Sequence, residues 1–355
     1  MRNRWTIVWI IVGLLFVAPP AVLFYRQHRQ QQAELASQAR MLDEPPISVP
    51  ANAGELLPAS NKTGLVVPLA KTGTVKGVIL SPDGRKALLT GEDGILRLME
   101  VRTGKEIKSA SQGGQPWSGC ISPDGRTAVL RNYNGIVVCD LSSMQYTASM
   151  YANDGGGQIS CAAFAPNGLT ALTGGADGAV HVWNLKTQQL LGRLSLEHDQ
   201  VLAVAYSADG KRVLAAGHSG MIRAWDIKTG QVLRQSNKQD YVVGSAAFSA
   251  DGRRAVLGST SQKAGVIDTD AMAELSHMDG DATRVAITRD GTRVLTSTGA
   301  QMHLWDAATG RKLATLDVPD LPAQDIAALL PDGRHIIVGG KAPGVYSMLG
   351  ADEKK

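Results

Sequence analysis

The sequence predicts an all-β fold, a seven-bladed β-propeller of four-stranded antiparallel blades, preceded by one N-terminal transmembrane helix. Two features of the 355 residues predict it: an uncharged apolar run near the N-terminus, and a hairpin motif that recurs seven times further along. Glycine is frequent, with 39 residues, as is typical of a chain with many turns. The organisation expected is a signal anchor (1–25), a juxtamembrane helix and Pro-rich linker (26–63), the propeller (64–349) and a C-terminal tail (350–355).

The first element is a membrane anchor over residues 5–25, WTIVWIIVGLLFVAPPAVLFY, a run without any charged residue. As a helix it would be about 31 Å long, which matches a hydrocarbon core of about 30 Å. Its twelve Ile, Leu, Val and Phe residues favour insertion by about 4 to 7 kcal/mol together. The lipid bilayer is therefore an expected partner of residues 5–25.

A cleaved secretory signal is the alternative interpretation of this run, because Arg2 and Arg4 resemble the basic start of such a signal. Pro19 and Pro20 stand where a small-residue cleavage site would be needed, so an uncleaved signal anchor is favoured. The charge difference across the run is slight, but a four-residue leader most simply stays inside. We therefore expect a single-pass protein of the inner (plasma) membrane with its propeller on the periplasmic side; the reversed topology stays open.

The second element joins the anchor to the propeller. Residues 26–43 lack Gly and Pro and are rich in helix formers, so the anchor helix is expected to continue through them. Four prolines, at positions 45, 46, 50 and 58, then indicate an extended linker that acts as a spacer.

The third element is built on a short apolar strand followed by Ser-Pro-Asp-Gly-Arg or a variant of it. The seven glycines of this motif are 39 to 43 residues apart, at positions 84, 125, 168, 210, 252, 291 and 333. Asp-Gly or Asn-Gly between two β-prone runs is a strong signal for a hairpin. Turn chemistry explains all seven acidic or amide residues, so they are not interpreted as metal ligands or catalytic acids.

Each hairpin is followed by a third strand that ends in an aromatic or apolar residue and a polar one, and then by a fourth strand. The seven pairs are Met99-Glu100, Cys139-Asp140, Trp183-Asn184, Trp225-Asp226, Ile267-Asp268, Trp305-Asp306 and Tyr346-Ser347. Four strands in about 42 residues correspond to one propeller blade.

Trp-Asp ends the third strand and Ser-Pro-Asp-Gly follows the first. With these motifs the chain resembles the WD-repeat β-propeller family over about residues 64–349. The form of the repeats is similar to that of bacterial members. That family closes its ring by pairing strands from the two ends of the chain in one blade. The seventh repeat offers three strands here, and residues 64–70 can supply the missing outer strand. Pro68 suits this position because proline is tolerated at a sheet edge.

The resemblance also implies structural residues, because WD repeats often contain a buried network of His, Ser/Thr, Asp and Trp. No repeat has the complete set, so apolar packing is expected to stabilise most blades. The members present are interpreted as structural: Trp183, Trp225, Trp305, His198, His277 and Asp177.

Composition and motifs indicate no catalytic centre. The formal charge of +4, half of it in residues 1–50, argues against nucleic-acid binding. The three cysteines and seven histidines show no zinc-like spacing, and no nucleophile elbow or phosphate loop occurs. We therefore expect no metal, no cofactor and no enzymatic activity.

The expected functional surface is the face where the second turn of each blade and the connections between blades come together. Exposed aromatic and adaptable side chains there are natural anchors for a partner. The candidates are Trp117, Tyr133, Tyr151, His218 and Tyr241, with Lys76 and Lys263 at the rim.

These observations predict a membrane-tethered, non-enzymatic scaffold that binds a protein or peptide through this loop-rich face, as the WD-repeat resemblance implies. The alternative is a propeller enzyme or small-ligand receptor that uses the central channel. It predicts convergent acids, histidines or a metal at the mouth of that channel, since a fold alone does not define a function.

Overall fold

A computed structural model describes most of the region expected to form the propeller. The described residues are 41–42, 44–47, 57, 64–69, 74–111, 118–132, 135–151, 158–197, 199–259, 263–280, 282–298, 301–318, 327–341 and 343–348. The chain divides into two compact units, Met1–Glu44 and Pro45–Lys355, and the propeller lies in the second. The predicted anchor and the tail fall outside the described residues, as does the linker except for a few positions.

Blades 1 to 4 each consist of four consecutive strands. Blade 1 contains β2 (Val75–Leu80), β3 (Lys86–Gly91), β4 (Ile95–Glu100) and β5 (Glu106–Ser111). Blade 2 contains β6 (Ser118–Ile121), β7 (Thr127–Arg131), β8 (Gly135–Asp140) and β9 (Gln145–Tyr151). Blade 3 contains β10 (Ile159–Phe164), β11 (Thr170–Gly175), β12 (Ala179–Asn184) and β13 (Gln189–Ser195). Blade 4 contains β14 (Val201–Tyr206), β15 (Arg212–Gly217), β16 (Ile222–Asp226) and β17 (Val232–Gln235).

Blades 5 to 7 complete the ring. Blade 5 contains β18 (Val243–Phe248), β19 (Arg254–Ser259), β20 (Lys263–Asp268) and β21 (Ala273–Asp279). Blade 6 contains β22 (Arg284–Ile287), β23 (Arg293–Thr298), β24 (Gln301–Asp306) and β25 (Lys312–Asp317). Blade 7 contains β26 (Ala327–Leu329), β27 (His335–Val338), β28 (Gly344–Ser347) and β1 (Gly64–Pro68). The predicted seven four-stranded antiparallel blades are confirmed.

The closure of the ring follows the sequence prediction. β1 pairs antiparallel with β28, so blade 7 has the strand order β1-β28-β27-β26. Pro68 lies opposite Gly344 on the outermost strand, where its missing N–H costs no ladder hydrogen bond. Leu69, which follows β1, is buried with Leu330 and Val345 in the core between blades 7 and 1.

Each blade alternates direction, so the ring has two faces. The first face holds the turns between second and third strands and the connections between blades; we call it the connection face. The second holds the Asp-Gly or Asn-Gly turns between first and second strands, together with the turns between third and fourth; we call it the Asp-Gly face. Each inner strand runs from the connection face to the Asp-Gly face.

The seven Asp-Gly or Asn-Gly turns share one geometry. Their glycines have φ between 64° and 72°, a conformation in which a Cβ would be strained. In blade 1, Asp83 Oδ1 accepts hydrogen bonds from the Ser81 hydroxyl at 2.6 Å and from the Arg85 N–H at 3.1 Å. The Asp or Asn side chain accepts a backbone N–H in all seven turns. The prediction that these residues serve the turns is confirmed.

The core lies between neighbouring blades. Seven clusters of buried apolar residues are found among the described residues, one at each interface between blades. Second and third strands supply most of these buried residues, whereas all four residues of the outer strand β17 are exposed. Because each blade packs only against its two neighbours, the inner strands are left to line a central channel.

The membrane prediction is not tested by the described residues. Met41 and Leu42 have helical geometry. Within the described ranges, no helix is long and apolar enough to cross a bilayer. The run at 5–25 is outside those ranges.

Candidate binding face and central channel

Five of the seven predicted partner-binding residues lie on the connection face. Tyr151, at the end of β9, is 52% exposed. His218, in the turn between β15 and β16, is exposed, and so is Lys263 at the start of β20. Trp117 and Tyr133 lie outside the described residues.

Tyr241 differs from these because it packs against the molecule. It is half-buried and contacts the core between blades 4 and 5. Burial, together with repulsion by the Glu274 carboxylate, raises the pKa of Tyr241. Its ring therefore contributes to the joint between blades as well as to the face.

Lys76, the remaining candidate, is on the innermost strand of blade 1 and lines the channel. Its Nζ lies 2.5 Å from the Glu92 carboxylate in an exposed ion pair. The structure thus places Lys76 at the channel mouth rather than on the outer rim.

At the connection face the channel opens into a cavity of about 730 Å³. Its lining is rich in polar side chains, and none of the described lining residues is Asp or Glu. The polar ones are Lys76, Ser118, Arg131, Gln158, Ser160, Gln200, Ser245, Arg284 and Ser297. We call this set, with the cavity, the connection mouth.

Arg131 is the most buried cation of the connection mouth. Its Nη1 donates a 2.7 Å hydrogen bond to the Ile159 carbonyl of blade 3. Its Nε is buried and has no hydrogen-bond partner. Burial lowers the pKa of Arg131, and the positive charge of Arg284 also lowers it. Two cations from blades 2 and 6 therefore repel each other at this site.

The opposite end of the channel, at the Asp-Gly face, is mainly apolar, although Arg289, Ser81 and Ser249 also line it. Its cavity of about 630 Å³ is bounded mainly by aliphatic, aromatic and proline side chains. Those from the inner strands include Ile79, Leu80, Ile121, Phe164, Tyr206, Phe248, Ile287 and Leu329. Pro46 and Ile47 also border this cavity, and the Ile47 N–H donates to the Pro166 carbonyl at 2.9 Å.

The residues predicted to be structural are placed as follows in blade 3. Trp183 is 2% exposed, and its indole Nε1 donates to the Thr173 hydroxyl at 2.8 Å. The Asp177 carboxylate accepts from Arg193 at 3.0 Å and lies 3.6 Å from His181 Nε2. His181 therefore lies beside Asp177 in this blade. Its position in the sequence, two residues before a Trp, did not indicate this contact.

Blades 4 and 6 differ in the second-strand residue that lies beside the Trp of the third strand. In blade 6, Trp305 is 4% exposed and donates to the Thr296 hydroxyl at 2.8 Å. In blade 4, Trp225 is 2% exposed, but Ala215 stands where blades 3 and 6 have threonine. Trp225 instead packs among apolar residues of blades 3 and 4.

The structure corrects the prediction for His277. The expectation was a buried histidine working with Trp305, but His277 is exposed on the outer strand β21. Side chains alternate along a strand, and here Ser276 and Met278 point inward, which leaves His277 facing out. His198 lies outside the described residues.

The three cysteines are free thiols in apolar surroundings. Burial raises the pKa of Cys120 and of Cys161 to about 12, and that of Cys139 to about 11. A thiol with such a pKa carries almost no reactive thiolate at neutral pH.

The channel alternative expected acids, histidines or a metal at the mouth. Cations and amides line the connection mouth instead. In the part of the chain that the structure describes, no group of three or more His, Cys, Asp or Glu side chains is placed to hold a metal ion.

The sequence did not single out Arg131, Arg284, Gln158 or Gln200. They come from four different repeats and belong to no motif. The available signal was positional, because all four lie at the connection-face end of a first or second strand.

Comparison with known proteins gives a result consistent with this fold. The family described as "WD domain, G-beta repeat" matches residues 144–184 and 189–226. Each match begins at the outer strand of one blade and ends with the third strand of the next, as expected if sequence repeats and blades are staggered by one strand. The two matched segments are therefore similar to WD repeats, and they lie within a seven-bladed propeller.

A curated relative is similar to part of the chain. WD repeat-containing protein 38 of Mus musculus is 49% identical over 39 residues, which are 11% of this chain and 13% of the mouse protein. The similarity therefore covers about one repeat, and it concerns the fold of that repeat.

Proposed function

We propose that this protein is a membrane-tethered, non-enzymatic scaffold that binds a protein or peptide partner through its connection face. The observation that carries the proposal is that exposed candidate side chains and the open end of the channel lie on the same face. Tyr151, His218 and Lys263 are exposed there, around the connection mouth. Aromatic and adaptable polar side chains on a rigid support are favourable anchors for a partner.

A non-enzymatic role is supported by what the candidate reactive groups do. The aspartates of the Asp-Gly turns accept hydrogen bonds from their own turns, and the thiols are held neutral by burial. These groups serve folding. The expectation of a binding role also agrees with what WD-repeat proteins typically do.

The experiment is affinity capture from detergent-solubilised membranes with the full-length chain, followed by mass spectrometry. The double variant Tyr151→Ala/His218→Ala is compared with Val232→Ala. Val232 is also exposed, at 51%, but lies on an outer strand near the Asp-Gly face. We expect the face variant to lose a set of proteins that the control variant and the unmodified chain retain. Equal capture by all three would reject the connection face as the binding surface.

The tether and its orientation are part of the proposal. The uncharged run at residues 5–25 supports an anchor in the inner membrane, and the proposal places the propeller on its periplasmic side. Protease added to intact spheroplasts should degrade the propeller if it faces outward. Degradation only after the membrane is permeabilised would support the reversed topology, and recovery in the fraction without membranes would reject the anchor.

A further inference from the structure

The lining of the connection mouth contains three cationic side chains and, among its described residues, no Asp or Glu. Lys76, Arg131 and Arg284 come from blades 1, 2 and 6, so they surround the opening from different sides. Glu92 pairs with Lys76, and it is not among the lining residues. The ring thus brings three cations together at one cavity although they are far apart in sequence.

Arg131 is arranged to bind a further acceptor. The bond from Nη1 to the Ile159 carbonyl fixes the guanidinium, while its buried Nε makes no hydrogen bond. A buried donor without a partner is costly, and so is a cation repelled by Arg284. An anion bound in the connection mouth would offset both costs.

The kind of anion follows from the donors. Guanidinium groups present parallel N–H donors that match a carboxylate in a bidentate manner. Gln158, Gln200 and Ser160 add uncharged polar groups that can hold a peptide backbone. A cavity of about 730 Å³ has room for a few residues of a partner, and the exposed Tyr151 lies on the same face for the residues that flank them.

We propose that the connection mouth binds a carboxylate side chain of an acidic peptide segment, held by Arg131 and Arg284. This inference rests on the proposed function, because it names the chemistry of the partner that docks on the connection face. It makes the partner an acidic segment and the channel its specificity site.

The test measures binding of fluorescein-labelled hexaglutamate to the detergent-purified full-length chain by fluorescence anisotropy, in about 50 mM NaCl to limit screening. Hexaglutamine with the same label is the reference. We expect hexaglutamate to bind at least about tenfold more tightly than hexaglutamine, and Arg131→Met and Arg284→Gln each to reduce its affinity about tenfold or more.

Two matched variants separate a site from general attraction. Arg284→Lys keeps the charge but loses the planar pair of donors, so its affinity should lie between that of the unmodified chain and that of Arg284→Gln. Lys238→Gln removes one positive charge from an exposed position on the same face, in the connection between β17 and β18 and outside the connection mouth, so it should leave the affinity unchanged. Thermal unfolding of each variant shows that it is folded.

Several outcomes would overturn the inference. They are equal binding of the two peptides, an affinity that Lys238→Gln lowers as much as Arg131→Met does, or competition by inorganic phosphate at far lower concentration than by acetate. The last result would assign the site to phosphate. If these occur while Tyr151→Ala/His218→Ala still abolishes partner capture, the scaffold proposal stands and only the acidic-segment inference fails.

Discussion

The same seven inner strands line both ends of the central channel, yet the two ends have different chemistry. At the connection face the lining contains Lys76, Arg131 and Arg284 with amides and hydroxyls. At the Asp-Gly face the strands end in apolar residues such as Ile79 and Phe164. Each inner strand thus begins at a polar end of the channel and ends at a mainly apolar one.

This division separates stability from binding. Apolar side chains at the Asp-Gly end join the cores between blades; Ile79, for example, belongs to the core between blades 1 and 2. Polar side chains at the connection mouth bury little apolar area, so they contribute little to the hydrophobic stabilisation of the ring. Changes at the two ends should therefore have opposite profiles in stability and in binding.

The largest expected effect is a loss of stability at the apolar end. Ile79 is 5% exposed, and Ile79→Ala should lower the free energy of unfolding by about 2 to 5 kcal/mol, because the truncation leaves a cavity. Denaturant unfolding of the full chain measures it. Lys76→Ala at the other end is the matched change and should cost less than about 0.5 kcal/mol. Equal losses would contradict the separation of the two ends.

A smaller loss is expected from one hydroxyl at the apolar end. The Tyr206 hydroxyl lies 2.9 Å from the Thr170 hydroxyl, and both residues are buried. Tyr206→Phe leaves Thr170 without this partner and should cost about 1 to 2 kcal/mol, with affinity for hexaglutamate unchanged. Restored stability in Tyr206→Phe/Thr170→Val would assign the loss to the unpaired hydroxyl. A double variant no more stable than the single one would contradict that cause.

Acid should affect the Asp-Gly end before it affects the cations of the connection mouth. Burial opposes ionisation of Asp332, but the side chain of His335, 2.7 Å away, and two backbone N–H groups outweigh it, so the pKa of Asp332 is lowered. A carboxyl with a lowered folded-state pKa stabilises the fold above its unfolded pKa of about 3.9, and this contribution is lost as the pH falls through the folded value.

The measurement is the free energy of unfolding between pH 6 and pH 3, compared in the unmodified chain and in Asp332→Asn. The variant should show a shallower decline, since the residue that takes up the proton is gone. The chain already uses asparagine at the equivalent turn position, Asn167, whose side chain accepts the same backbone hydrogen bond. Identical declines would mean that Asp332 does not contribute to the acid sensitivity.

The turns and the closure of the ring could be predicted from the sequence, but the connection mouth could not. The seven Asp-Gly or Asn-Gly turns depend on local φ angles, and ring closure on a strand with proline at its edge; both are local signals. The connection mouth depends on Arg131 and Arg284 meeting across the ring, which no local pattern encodes.

His277 shows the opposite limit, where a family pattern misleads. Its spacing from Trp305 along the sequence suggested a buried network. On the outer strand β21, however, side chains alternate between the two sides, and that of His277 is exposed. His181 lies 3.6 Å from Asp177, four residues away in the same hairpin, a contact that the sequence analysis did not predict. Residue type and spacing define the blades, whereas the side-chain partners depend on which face of each strand is covered.

A small change in stability is also expected at Arg131, and it distinguishes a binding residue from a structural one. Arg131→Met removes a buried Nε without a partner and a cation repelled by Arg284, but it also removes the bond to the Ile159 carbonyl. The terms nearly cancel, so the free energy of unfolding should stay within about 1 kcal/mol of the unmodified value, and we expect the small change to be a gain. A loss of about 3 kcal/mol or more would mean that Arg131 mainly joins blades 2 and 3. Unchanged or increased stability together with lost affinity for hexaglutamate is the result expected of a cation that is retained for binding.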